Sequence, residues 1–172
     1  MWEVNPTFVS KMLERIEPIK TDAVLRDVLK EDYKVDLPIE GGWGYSQSTS
    51  IKFLKQETRY DFVSLEYQIA QWLLFEELII FRERDDLHSG IEKKLKQQKM
   101  FEENGRRYDV LEFEVTCWHD FYWEKLKTEW DEAKANSSID PSFLKDHEKK
   151  RNEAMLRFNR TYYFEITDVF CI

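Results

Sequence analysis

The sequence predicts an α+β fold, a single domain over residues 1–172 in which a small antiparallel or mixed sheet is packed with about five helices. Three observations predict it. Apolar residues recur at three-to-four spacing in five stretches, the period of a helix with one buried face. Around 111–117 and 162–167 they instead alternate with polar residues, the period of a half-exposed strand. Their order is helix, helix, strand, helix, strand, strand, helix, helix, strand, which suits a sheet covered by helices.

Each element has its own signal. Asn5-Pro6 supplies an N-cap and a proline at the first helical position, and Phe8, Val9, Met12, Leu13 and Ile16 form the stripe that Glu17-Pro18 ends. A second helix is expected from Thr21, with Val24, Leu25, Val28 and Leu29 inward, so that 5–33 forms a helical hairpin. Residues 34–50 hold three of the chain's five glycines and a run of hydroxyl residues and read as a loop, with a short strand at 50–54. The longest helical pattern covers 61–84; beyond Trp72 it is apolar nearly all round, as in a helix packed on every side. Asn104-Gly105 marks a tight hairpin within the 95–172 region, in a register that puts Phe101 opposite Tyr108. The strand before it, 95–101, is rich in Lys and Gln and suits a sheet edge. Asp120 and Asp140-Pro141 start two further helices, the second running through Phe158, and a strand carrying Tyr162, Phe164 and Ile166 follows.

Composition narrows the functional classes. Aromatic residues make up 15% of the chain, 12 Phe, 8 Tyr and 6 Trp, which argues for a substantial core or a binding surface and against disorder. With 26 basic and 34 acidic residues the formal charge is −8, unsuited to general nucleic-acid binding; the basic run Lys145–Arg151 reads as a solvated helix face. Two cysteines exclude a disulfide framework, and Cys117 and Cys171 both fall in predicted strands, where a thiol behaves as a small buried hydrophobe. The greasiest run, Trp72–Phe81, is ten residues long and contains Glu76 and Glu77, too short and too charged to span a bilayer. The first sixteen residues lack the pattern of a signal peptide, so the expected address is cytoplasmic.

No motif names a reaction. Each histidine has an aspartate near it in sequence: His88 with Asp86, His119 with Asp120, His147 with Asp146. Imidazole and carboxylate can together hold a hydrolytic metal, so a small metal-dependent hydrolase using His88, His119, His147 and Asp120 is one alternative. No His-Glu-x-x-His spacing supports it. Cys117-Trp118-His119 brings thiol and imidazole close in sequence, but a core cysteine on the Leu111–Phe113–Val115 face is the simpler expectation. Of Glu76 and Glu77, one is expected to mark the wet strip of the central helix. The most distinctive string is Gly41-Gly42-Trp43-Gly44-Tyr45-Ser46. Without the Lys-Ser/Thr pair of a phosphate-binding loop, it reads either as a tight turn pinned by Trp43 and Tyr45 or as outward-facing aromatic anchors for a partner.

The segment Gly41–Gln47, leading into an apolar strand, resembles segments of small acidic bacterial proteins grouped as immunity partners of polymorphic toxins. The resemblance implies a cytoplasmic, non-enzymatic protein that binds and blocks a cognate toxin without a cofactor. Trp43 and Tyr45 are then the expected anchors, and Asp36 and Glu40 the acids that meet a basic toxin domain. Residues 1–87 carry 17 acids and 11 bases, against 17 and 15 in 88–172, so the half with the Gly-Trp loop is the more acidic. Nucleic acid and membrane are not expected partners, and the chain is expected as a monomer or a homodimer, the latter being the form of a third alternative, a structural or regulatory module.

Overall fold

The computed structural model of the chain describes residues 2–55 and 61–169. Asn5 caps the first helix as its sequence predicts: its side-chain oxygen accepts the amides of Thr7 (3.0 Å) and Phe8 (3.2 Å), with Pro6 in the first turn of α1, Pro6–Glu14. The second helix starts later than Thr21. Thr21 ties down the Ala23 amide instead, and α2 runs over Leu25–Tyr33 until Lys34 turns left-handed at φ 59°. Strands β1 (Ile39–Gly41) and β2 (Ile51–Phe53) pair antiparallel, so part of the predicted loop is a strand. Asp61 caps α3 (Phe62–Phe75), and the chain then widens into a π-helical turn over Glu76–Ile80 rather than continuing as an α-helix to Arg84.

The hairpin is longer than its sequence signal. β3 spans His88–Glu103 and β4 Arg106–His119, joined by Asn104 (φ 52°) and Gly105 (φ 75°), both in the left-handed region that a two-residue hairpin turn needs. Phe101 and Tyr108 stack with ring centroids 5.1 Å apart, in the predicted register. α4 (Asp120–Ala135) is capped by the His119 side chain, with Asp120 its first residue, and α5 (Pro141–Ala154) by Asp140. α5 stops short of Phe158 because Met155 is extended and β5 begins at Leu156, reaching Glu165; the alternation of Leu156, Tyr162 and Phe164 wins over helical spacing.

The fold is therefore α+β, with five α-helices and a mixed five-stranded sheet in the order β1-β2-β5-β4-β3 among the described residues. β2 and β5 are parallel, and the Lys- and Gln-rich β3 lies at an edge. The chain divides into two compact units. One comprises Met1–Glu17, Leu78–Glu92 and Val115–Phe158; its core gathers Met12, Leu78, Cys117, Trp118, Tyr122 and Leu156. Within it Gly90 is indispensable, since at φ 64° a Cβ would lie 2.6 Å from the Trp123 ring. The other comprises Pro18–Glu77, Lys93–Glu114 and Asn159–Ile172 and buries Ile51, Phe53, Ile69, Leu73, Phe113 and Phe164, with Phe53 and Phe164 stacked at 5.8 Å. Each such fully buried side chain contributes about 1.5–3 kcal/mol. Among the described residues no helix is long and apolar enough to cross a membrane. Cys117 is a buried core thiol as expected, while Cys171 lies outside the described residues.

Candidate functional site

The glycine string builds a rigid crest on the second unit. At Gly41 (φ 96°) a Cβ would fall 2.3 Å from the Ser50 carbonyl, and at Gly42 one would fall 2.7 Å from the Thr49 carbonyl, so the two sides of the loop approach closer than any side chain permits. The approach is fixed by backbone bonds from Gly42 N–H to Ser50 O (3.2 Å), from Gly44 N–H to Thr49 O (2.7 Å) and from Tyr163 N–H to Gly44 O (2.7 Å).

Trp43 and Tyr45 pin this loop from beneath. Trp43 is buried and its indole N–H donates to the Ala23 carbonyl at 3.0 Å. The Tyr45 hydroxyl donates to Glu77 Oε2 at 2.9 Å, and Arg160 grips Glu77 Oε1 through Nε (3.0 Å) and Nη2. Burial, with Glu77 alongside, raises the Tyr45 hydroxyl well above the ordinary phenol range, so it stays a donor. The turn reading of the string is thus the one realised, and the two rings offer a partner little surface. Glu76 and Glu77 are both buried, so neither marks a wet strip. Glu77 is matched by Arg160, whereas burial pushes Glu76 up to about 7.

Above the pins the loop carries hydroxyls. Over the short 3₁₀ turn Gln47–Thr49, the Ser46 hydroxyl lies 2.8 Å from that of Thr49 and 3.0 Å from that of Ser48. Ser46, Gln47 and Ser48 line a polar cleft of about 680 Å³, whose other walls include Glu40, Lys52, Arg106, Tyr108 and Glu165. Lys52 bridges Glu40 (3.2 Å) and Asp168 (3.3 Å), and these two carboxylates, Asp168 first, hold its ammonium above the usual lysine range. Buried Glu165 accepts from the Thr167 hydroxyl (3.3 Å) and faces Arg106 at 3.9 Å. The Ser46, Ser48 and Thr49 hydroxyls bond to one another. Glu40 is thus on the rim of the cleft. Asp36 is engaged elsewhere, by Arg26 (2.7 Å) and Lys30 (3.1 Å), which hold its carboxyl below the usual range.

The structure brings two of the three histidines together, in the first unit. The His88 and His119 rings are 5.4 Å apart, and His119 Nε2 is 3.5 Å from Asp86 Oδ1. Asp86, not Asp120, is the carboxylate that faces the His119 ring nitrogen; Asp120 accepts from the Ser89 hydroxyl at 2.6 Å. His119 Nδ1 accepts the Phe121 amide at 3.2 Å as the cap of α4, leaving Nε2 to carry the ring proton toward Asp86. Arg82 (2.5 Å) and Arg15 (3.4 Å) already neutralise that carboxylate. His88 is buried with neither ring nitrogen hydrogen-bonded, and burial together with Arg82 pushes it down to about 4. His147 is engaged separately, its Nε2 bonded to the Leu126 carbonyl at 3.0 Å, and Asp146 pairs with Lys150 at 2.8 Å. Among the described residues no group of three His, Cys, Asp or Glu side chains could hold a metal ion.

One buried pair escaped sequence reasoning although its signal was present. Glu66 falls on the apolar stripe of α3 between Phe62 and Ile69, and Asp109 on the inward face of β4 with Leu111 and Phe113. Both are buried, Gln98 donates to Asp109 at 2.6 Å, and burial with Asp109 alongside pushes Glu66 up to about 9. The aromatic residues are spread from core to surface: Trp43, Trp118, Tyr108, Tyr122 and Tyr162 are buried, while Phe8, Phe81, Phe121 and Trp130 of the first unit stay exposed. No family model, curated protein or solved structure matches the chain.

Proposed function

We propose that the chain is a non-enzymatic binding protein, an immunity-type inhibitor acting in the cytoplasm that occludes a basic toxin domain through the 41–50 crest and its cleft. The observation that carries this reading is the division of labour in the loop. Trp43 and Tyr45 are spent on fixing it, while Ser46, Ser48 and Thr49 are held ready beside the charged rim of Glu40 and Arg106. A crest already rigid loses little conformational entropy when a partner docks, which favours affinity. An open polar cleft suits a polar loop of another macromolecule better than a small apolar ligand, which needs an enclosed apolar pocket. The acidic balance of residues 1–87 would speed encounter with a basic domain.

The test is calorimetric titration of the chain with the toxin domain encoded beside it, in parallel with survival of cells that express that domain. Ser48 is exposed, so Ser48→Trp is expected to leave folding intact and weaken binding by about tenfold or more, with loss of protection. Absence of binding by the unaltered chain, or binding indifferent to a tryptophan wedged into the crest, would refute the reading.

A further inference from the structure

The first unit has a second concavity, a slot of about 370 Å³ lined by α4 and α5. That volume lies within the range of small-molecule sites, roughly 300–1,000 Å³. Trp123 and Trp130 are seven residues apart on α4 and so share one face about two turns apart, with buried Leu126 between them. From α5 come His147 and Arg151, one turn apart. The His147 ring is fixed in place, since the Leu126 carbonyl can only accept and Nε2–H must donate to it. Trp130 touches His147 (5.5 Å between ring centroids) and Phe143 (6.0 Å), yet remains 38% exposed.

The charges of the slot are unequal in their commitments. Lys127 is occupied by Glu124 at 3.2 Å. The Arg151 guanidinium lies over the Trp118 ring at 5.1 Å, and among the described residues no carboxylate comes within ion-pair distance of it. Asp131, also on the lining, likewise has no basic partner among the described residues. An unneutralised guanidinium beside indole faces, in a chain of net charge −8, is a directed anion site with an aromatic wall.

We propose that this slot binds a small aromatic monocarboxylate. Its ring packs against Trp123 and Trp130 above Leu126, its carboxylate meets Arg151, and Asp131 excludes a second anionic group. The probes are 2-naphthoate, its neutral counterpart 2-naphthylmethanol and 2,6-naphthalenedicarboxylate, each titrated into the full chain while the indole N–H resonances of Trp123 and Trp130 are followed. 2-Naphthoate is expected to saturate below ~1 mM and to bind about tenfold more tightly than the alcohol or the dicarboxylate. Arg151→Met, which retains the backbone carbonyl that accepts from Trp118, is expected to erase the preference for naphthoate over the alcohol. Asp131→Asn is expected to narrow the gap to the dicarboxylate. Three results overturn the proposal: no saturable shift at those indoles, equal affinity for all three probes, or a naphthoate preference that survives Arg151→Met in a variant with an unchanged melting curve.

Discussion

Glu66→Gln should make the chain more stable in alkali, relative to its parent, by an amount the structure sets. Glu66 is buried beside Asp109, and in the fold its proton is held up to about 9 against an ordinary value of 4.5. Because the folded value lies above the unfolded one, the unfolded chain releases this proton first as pH rises. The stabilising effect of the neutral acid is complete below about pH 4.5 and is lost progressively up to about pH 9. Over that window the slope approaches ~1.4 kcal/mol per pH unit, so between pH 6 and pH 8 the parent should lose ~2–3 kcal/mol through this group alone. Glutamine keeps the shape and an N–H donor for Asp109 but does not titrate.

Glu76, pushed up to about 7, contributes with the same sign between 4.5 and 7, so the single-chain pH profile mixes both groups. The difference between parent and variant isolates Glu66. Urea unfolding at pH 6, 7 and 8 measures it, provided the slope with denaturant is unchanged. Parallel pH profiles for parent and Glu66→Gln would show that the Glu66 proton is not held by the fold, and the burial argument would fail.

Three further perturbations follow from the same geometry. His88→Leu should flatten the acid limb of stability, because a buried histidine held down to about 4 stabilises fully above pH 6.5 and progressively less toward pH 4; melting curves from pH 4 to 7 check it. Gly90→Ala should lower the melting temperature sharply, by an amount equivalent to ~2–3 kcal/mol, since it meets both the positive φ and the Trp123 ring. Arg160→Met should cost ~3–5 kcal/mol by removing the guanidinium that faces the buried Glu77 carboxylate, and the double variant with Glu77→Gln should recover most of that loss in chemical denaturation.

What the sequence made legible was governed by local rules. Asn5-Pro6, Asp140-Pro141 and Asn104-Gly105 act within a few residues, and each produced the predicted element or turn. The polar β3 could be read as an edge because an edge strand needs no second apolar face. The misses depend on distant partners. β1 has three residues, one of them glycine, and exists because β2 pairs with it across the loop. One of Glu76 and Glu77 read as the wet strip of its helix because charge is usually solvated; Arg160, over eighty residues on, and the Tyr45 hydroxyl help make burial of Glu77 tolerable. Asp86 could not be singled out over Asp120, since both flank histidines and only Arg15 and Arg82 distinguish them. Trp43 and Tyr45 were assigned correctly to the loop, but whether a ring faces in or out is decided by Ala23 and Glu77, which no spacing reveals.

The ionic ties of the second unit explain why stability and recognition need not be carried by the same atoms. A buried pair such as Glu77–Arg160 adds little stability over an apolar pair of the same size, because desolvation of both charges offsets their attraction. What an apolar pair lacks is direction. Glu77 has two oxygens; one is taken by Arg160 and the other accepts the Tyr45 hydroxyl, so the position of β5 and that of the Gly-Trp loop are specified by one carboxylate on the π-helical turn. The π turn matters because its wider winding presents Glu76 and Glu77 at a different angle from that of a continuing α-helix. Tyr45→Phe removes one hydroxyl and no packing volume, so the core should tolerate it while the crest loses its reference point. If Ser46, Ser48 and Thr49 form the surface a partner reads, that substitution should weaken binding more than it lowers the melting temperature, the opposite of what a purely structural tyrosine would do.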